Sequence, residues 1–467
     1  MNIQRILFAA TLLLVVVSCN VGKKYQQPEL ELPSTFNQDS TGDTTSIASI
    51  SWKEYFTDST LQHLIDTGIV YNHDLLIAVN RMDQARRRLS QSKLLQLPSA
   101  DFQVTAQYNR PSKNSLNGIS ANSFLGKSHI ENYLAVFSLS WEADIWGKIR
   151  GQQVAAAADY IQTEEATKAV QTQLVSDIAQ GYFNLLMLDE QLEIARKNLL
   201  LSDSFVLATR MLKDAGMVSQ LAIEQAESQR QSTALLVPQI EEDIALQENA
   251  LQQLTGNLPG ILRRERPQGL MMSENAGAGV PVSLVSRRPD VRAAEMALVA
   301  ANARVGVSKA NMYPALTLTA GGGLETFTAS NWFNIPGSLF GLAAGSVLQP
   351  VFRRNELKTE FEVAKLEREQ AVIRFRQQVL IAVKEVTNAL VSIDKLEEQK
   401  RIAVAQVDTL ETASRNARLL FGSDLATYLE VITAQGNSLQ AQLNLAMIER
   451  AQLGAKVELY RALGGGW

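Results

Sequence analysis

The chain reads as a mainly α-helical protein that carries four membrane-type β-strands and is built by internal duplication. Three observations predict this. Ala, Leu, Gln and Glu dominate long stretches, a composition that favours helix. Short segments alternate apolar and polar residues over the length that crosses a bilayer as a tilted strand. Residues 73–98 align without gaps on residues 289–314.

The first element is a leader. Arg5 gives residues 1–18 a positive start, and Ile6 to Val17 form an apolar run too short to span a bilayer as a helix. Cys19, the only cysteine of the 467 residues, follows at once. A lone thiol makes no internal disulfide. The "VVSC" ahead of the cleavage point resembles a bacterial lipobox, so Cys19 is expected to be the acylated (palmitate-type) N-terminus of the mature protein. Residues 19–52, with Pro28, Pro33 and a Ser/Thr/Asp-rich run, then read as a lipidated extended segment. Asn20 is not the aspartate that retains many lipoproteins at the inner membrane, which is compatible with the outer membrane.

The rest divides into two repeats, 53–256 and 287–467, joined by a Pro/Gly-containing linker over 257–286. Asp74 matches Asp290, Arg88 matches Arg304, and Pro98 matches Pro314. Further on, Trp146 is aligned with Phe352, Gly216 with Gly422, Leu251 with Leu459 and Gly256 with Gly464. Such a period is too long for a solenoid of short repeats. Each repeat reads as a helix of about 25 residues, two strands, a helix of about 65 residues and a helix of about 40. The longest would reach about 95 Å at the α-helical rise, predicting a rod of roughly 100 Å. Leu174, Ile178, Gly181, Leu185, Leu188, Leu192, Ala195 and Leu199 form a coiled-coil seam, as do Val379, Val383, Val386, Leu390 and Ile393. These stripes serve helix packing.

Strands are expected near 101–110 and 132–146, and near 315–325 and 338–350. Phe102, Val104, Ala106 and Tyr108 share one face, opposite Asp101, Gln103, Thr105, Gln107 and Asn109. Tyr133, Ala135, Phe137, Leu139, Trp141 and Ala143 share another, opposite Ser138, Ser140, Glu142 and Asp144. "SLFGLAAGSVL" is too uniformly small and apolar for its faces to be read. The stretches between strands read as polar loops. Four strands cannot close a barrel, and open edges are not tolerated in lipid, so the chain must oligomerise if the strands span the membrane. Two chains would supply eight strands, and three would supply twelve with room for a channel.

Forty-four Lys plus Arg against 48 Asp plus Glu leave no basic surplus for nucleic acid. His63, His73 and His129 lack metal-ligand spacing, and "GAGAGV" follows no strand, so neither a metal, a cofactor nor an enzymatic site is expected. Pro289 and Asp290 suit the first turn of a helix. Arg287 and Arg288 read as a solvated pair, with bridging between protomers as the alternative.

"SWKEYFTDSTLQHLI", "SWEADIWGKIRG", "SRRPDVRAAEMALVAANARVG" and the closing "LYRALGGGW", together with the lipobox and "YQQP", resemble the TolC-like outer-membrane efflux family, in its OprM/NodT-type lipoprotein branch. That resemblance implies a homotrimeric channel, with a twelve-stranded barrel in the outer membrane continuous with a periplasmic α-helical tunnel. It also implies a periplasmic adaptor, an inner-membrane pump of the RND type, and export of small molecules such as drugs or toxic ions. A type I protein-secretion channel shares the fold. An adaptor or coiled-coil scaffold would share the long helices and anchor but not the strands or the duplication. By the same resemblance, the turn after Gly422 matches the family's aperture segment. Asp424 is the first candidate there, and Glu430, about two turns along the next helix, is the second. The competing reading makes Asp424 a helix cap and Glu430 a surface charge.

Overall fold

The computed structural model describes residues 21–29, 50–264, 272 and 287–467. The leader, Cys19 and most of both the N-terminal segment and the linker lie outside these residues.

Each repeat has a helix of 22 residues ahead of its strands. In the first repeat two shorter helices precede it: α1 (Trp52–Tyr55) and α2 (Ser59–Tyr71) lead into α3 (His73–Leu94). Ser51 and Glu54 start α1 with a reciprocal capping box, and the Asp58 carboxylate accepts from the Leu61 N–H at 2.9 Å to start α2. Then come β1 (Ser99–Asn109), α4 (Leu116–Leu125), β2 (Ile130–Ala143), α5 (Lys148–Asp214) and α6 (Gln220–Leu254). The second repeat runs α7 (Pro289–Ala310), β3 (Ala315–Thr326), β4 (Leu339–Leu348), α8 (Glu356–Gly422) and α9 (Tyr428–Ala462). The stretch read as a polar loop after β1 therefore contains a helix. A turn in which the Ser115 hydroxyl donates to the Ser112 carbonyl at 2.7 Å launches it, and no proline interrupts it. Among the described residues no helix is long and apolar enough to cross a membrane.

The long helices have 67 residues in both repeats and the closing helices 35, rather than about 40. Equal lengths set the alignment of the two halves. Gly147, Gly216 and Gly256 have positive φ, and so do Asn355, Asp424 and Gly464, each 208 residues further on. The pairings of Trp146 with Phe352 and of Gly216 with Gly422 are thus two residues out of register. What repeats at these sites is a left-handed backbone, and Asn and Asp tolerate it where glycine is absent.

The chain forms two compact units, and neither is one repeat. The first takes residues 1–28, 83–161 and 296–373; the second takes 29–82, 162–295 and 374–467. The first holds a four-stranded antiparallel sheet in the order β1-β2-β3-β4. The second holds the main core, where Ile178, Leu185 and Val386 from the expected seams are wholly buried against Leu251, Val457 and Tyr460. Tyr55 stacks on Tyr460 at 4.3 Å, and their hydroxyls donate to the carbonyls of Lys456 and Ile50 at 3.0 and 2.9 Å. Burial pushes both phenols well above their ordinary range.

Arg288 is not solvated. It is 3% exposed, and its guanidinium donates to both Asp290 oxygens at 2.9 and 2.6 Å and to the Ala462 carbonyl at 3.0 Å, with Glu385 at 2.8 Å. Arg288 stands at the start of α7, where the Ala462 carbonyl at the end of α9 accepts from it, so the charge is buried with partners. Arg287 is exposed.

Candidate functional site

The first unit presents the strand face that the alternation anticipates. Phe102 lies opposite Phe137, and Val104 opposite Ala135. Ala135 lies opposite Leu324, and Trp141 opposite Leu318. Leu318 and Leu316 lie opposite Gly345 and Val347. One face therefore collects large apolar side chains from every strand, among them Phe102, Phe137, Trp141, Leu318, Leu324 and Val347, and Phe102, Phe137 and Val347 on it are at least half exposed. The register also assigns β4, whose sequence is silent on this point. Leu339, Gly341, Ala343, Gly345 and Val347 join the apolar face, while Phe340, Leu342, Ala344 and Ser346 turn to the other.

That other face carries Gln103, Thr105 and Gln107 on β1, Ser138 and Ser140 on β2 beside the apolar Leu134 and Val136, and Thr317 and Thr319 on β3. A Cβ on Gly323 would fall 2.0 Å from the Ala135 carbonyl oxygen. At Gly323 the glycine is a clearance requirement; a Cβ on Gly321 or Gly322 would meet its nearest atom at 3.1 or 3.3 Å. Aromatic rings mark both ends of the strands: Trp146 against Tyr313 at 4.9 Å on the helix side, and Tyr133 against Trp332 at 5.2 Å on the loop side. Strands of ten to fourteen residues with an apolar band between aromatic rims match the requirements of a bilayer. Among the described residues, β1 and β4 each have one edge without a partner strand.

In the second unit, Asp424 follows the end of α8 with φ of 60°. The Leu425 N–H donates to the Leu420 carbonyl at 2.9 Å and the Asp424 N–H to that of Phe421 at 3.2 Å. These are the two bonds of a Schellman turn, and Gly216 forms the same pair with Lys213 while Met217 reaches Leu212. Asp424 is exposed, and its side chain makes no hydrogen bond or ion pair among the described residues. It does not cap the next helix. Thr427 does, and Glu430 completes the capping box, its carboxylate accepting from the Thr427 N–H at 2.6 Å. Glu430 therefore sits in the first turn of α9, not two turns along, because α9 starts only at Tyr428. The bond from the Thr427 backbone, then that from its hydroxyl, holds the Glu430 carboxyl below its ordinary range. Beneath the turn Phe205 packs on Phe421 at 5.4 Å, over Val206 and Val431. The structure thus places Asp424 and Glu430 in one turn with different duties, one free and one engaged.

Bilayer-length strands with an exposed apolar face, joined in one chain to two pairs of very long helices, define an outer-membrane channel protein. The chain belongs to the outer membrane efflux protein family, whose model matches residues 64–257 and 280–465, and it is an efflux channel of the outer membrane. It is 28% identical over 473 residues to the probable outer membrane lipoprotein SilC of Salmonella typhimurium, with 99% of each chain covered. The cation efflux system protein CusC of Escherichia coli O6:H1 is 27% identical over 464 residues, 97% of each chain. A solved CusC structure superposes with a TM-score of 0.84 at 26% identity, over 96% of this chain and 100% of that one. The solvent efflux pump outer membrane protein SrpC of Pseudomonas putida is 29% identical over 471 residues, again 97% of each chain.

Proposed function

We propose that the chain works as a homotrimer in which three sheets close a twelve-stranded barrel, β4 of each copy meeting β1 of the next. One observation carries this: a sheet of bilayer-length strands with an exposed apolar face and two unpaired edges. Lipid offers those edges no hydrogen bonds, so only other copies can satisfy them. The hydroxyl- and amide-bearing face then lines the lumen. Native mass spectrometry in detergent is expected to give a trimer, and a stable monomer or dimer would overturn the proposal.

The trimer would receive solutes from a periplasmic adaptor and an RND-type inner-membrane pump. CusC is named for cation efflux and SrpC for solvent efflux. That supports small toxic solutes as cargo for this chain, with the choice made by the pump. Asp424, exposed on the turn after α8 and without a side-chain partner among the described residues, is the aperture candidate. Three copies around an axis would place three carboxylates together, favouring cations. Asp424→Ala should raise conductance or alter cation selectivity in planar bilayers, and an unchanged pore in a folded trimer would remove Asp424 from the gate. Glu430 is tied into its capping box and takes the lesser part.

Cys19 is the proposed lipid attachment site. Val21, two residues after it, donates its N–H to the Trp146 carbonyl at 3.5 Å, beside the helix-side aromatic rim. Acyl chains on Cys19 would enter the leaflet next to the sheet. Metabolic labelling with a fatty-acid analogue decides this: Cys19→Ala should lose the label, and equal labelling would refute it.

A further inference from the structure

The β1–β2 connection is charged in one sense only. Residues 110–130 include Arg110, Lys113 and Lys127 and no acidic residue. All three cations are exposed, and none makes an ion pair among the described residues. The pairing of Asn109 with Ile130 brings Arg110 beside His129, and Lys127 and Lys113 follow within two and three residues. The nearest carboxylate, Glu131, is already taken, facing the His129 Nε2 at 3.3 Å, while Tyr108 stacks on the imidazole at 4.9 Å. Between the cations α4 exposes apolar side chains, Leu116 at 80%, Phe124 at 88% and Ile119 at 55%.

Basic residues flanking exposed apolar side chains at a membrane rim fit a surface with phosphates above and acyl chains below. A second copy fits poorly. It would bring the same three cations, and its β3–β4 connection, residues 327–338, carries no charge at all. We infer that this connection is a docking surface for a phosphate-bearing glycolipid of the outer leaflet, of the lipid A type. Arg110, Lys113 and Lys127 hold its phosphates, and Leu116, Ile119 and Phe124 of α4 meet its acyl chains. The guanidinium and ammonium groups supply charge-assisted hydrogen bonds that a phosphate accepts.

This rests on the orientation proposed above, with the strand connections outside. The test uses the full-length trimer in detergent, offered bisphosphorylated lipid A, dephosphorylated lipid A or phosphatidylglycerol, with retained lipid counted by native mass spectrometry. Wild type should retain bisphosphorylated lipid A and release the other two. Each basic residue beside an anionic surface contributes roughly five-fold, so R110Q/K113Q/K127Q should bind about a hundred-fold more weakly. Equal retention by the triple variant, or of dephosphorylated lipid A, overturns the inference. Equal retention of phosphatidylglycerol overturns the assignment to a glycolipid, and association of trimers through these loops in place of lipid overturns it in favour of a second copy. Trimer mass and conductance are read on the same sample. A conducting trimer that retains no lipid A therefore sinks this inference and leaves the channel reading standing.

Discussion

Arg288 grips Asp290 through two nitrogens, at 2.9 and 2.6 Å, two residues apart at the mouth of α7. Burial works against both charges. The mutual hydrogen bonds and attraction outweigh it, raising the guanidinium pKa and lowering that of the Asp290 carboxyl. Gln378 adds a third bond to Asp290 at 2.6 Å.

Removing Asp290 leaves the buried Arg288 with Glu385 as its one neighbouring carboxylate among the described residues. Asp290→Asn, which loses charge-assisted hydrogen bonds, is expected to cost about 2 kcal/mol. Because the Asp290 pKa is depressed in the folded state, its contribution is present above the unfolded value and is lost as pH falls through the folded one. The gap in melting temperature between wild type and Asp290→Asn should therefore be widest at pH 7 and shrink in acid. A gap independent of pH would show that packing, not charge, is lost.

Gly323→Ala should impair assembly, since its Cβ would meet the Ala135 carbonyl at 2.0 Å. Gly341→Ala, on the neighbouring strand, meets nothing within 4 Å and should be silent. Heat-modifiable mobility on denaturing gels reports both. Equal behaviour of the two variants would show that the sheet gives way at Gly323 without cost.

Asp424 holds a left-handed conformation that costs a residue with a Cβ roughly 1 kcal/mol relative to glycine. Asp424→Gly should raise the stability of the turn by about that amount, and Asp424→Val should lower it. Hydrogen exchange at the Leu425 amide, which closes the turn, measures the change. Slower exchange in the valine variant would contradict the assignment.

Thr427→Ala removes the cap of α9 and is expected to cost about 1 kcal/mol. Glu430→Gln tests the other half of the box by its pH dependence. The Glu430 pKa is lowered in the folded state, so its support should fade as pH drops below the ordinary glutamate range. Helix unfolding followed by circular dichroism from pH 7 to pH 3 should show wild type converging on Glu430→Gln, and parallel curves would argue against the capping role.

Much of this architecture is legible because it is periodic. The alternation from Phe102 to Tyr108 places the apolar face of β1, since in a strand the side chain's face is settled by its own position. The stripe through Ile178 and Leu185 marks a buried seam for the same local reason. The uniform "LFGLAAGSVL" has no such contrast, so only its pairing with β3 told its faces apart.

The sequence by itself determined the duplication, the four strands and the very long helices, because period and composition act within a few residues of chain. The tertiary structure alone decided that Arg288 is buried, because its partners Glu385 and Ala462 lie far along the chain. It alone decided that Asp424, and not Gly422, stands where Gly216 does, because a left-handed turn is a property of the backbone that aspartate can satisfy. And it separated Asp424 from Glu430, two carboxylates six positions apart, by drawing one into a cap and leaving the other free. A hydrogen bond needs a partner in space, and spacing along the chain does not name it.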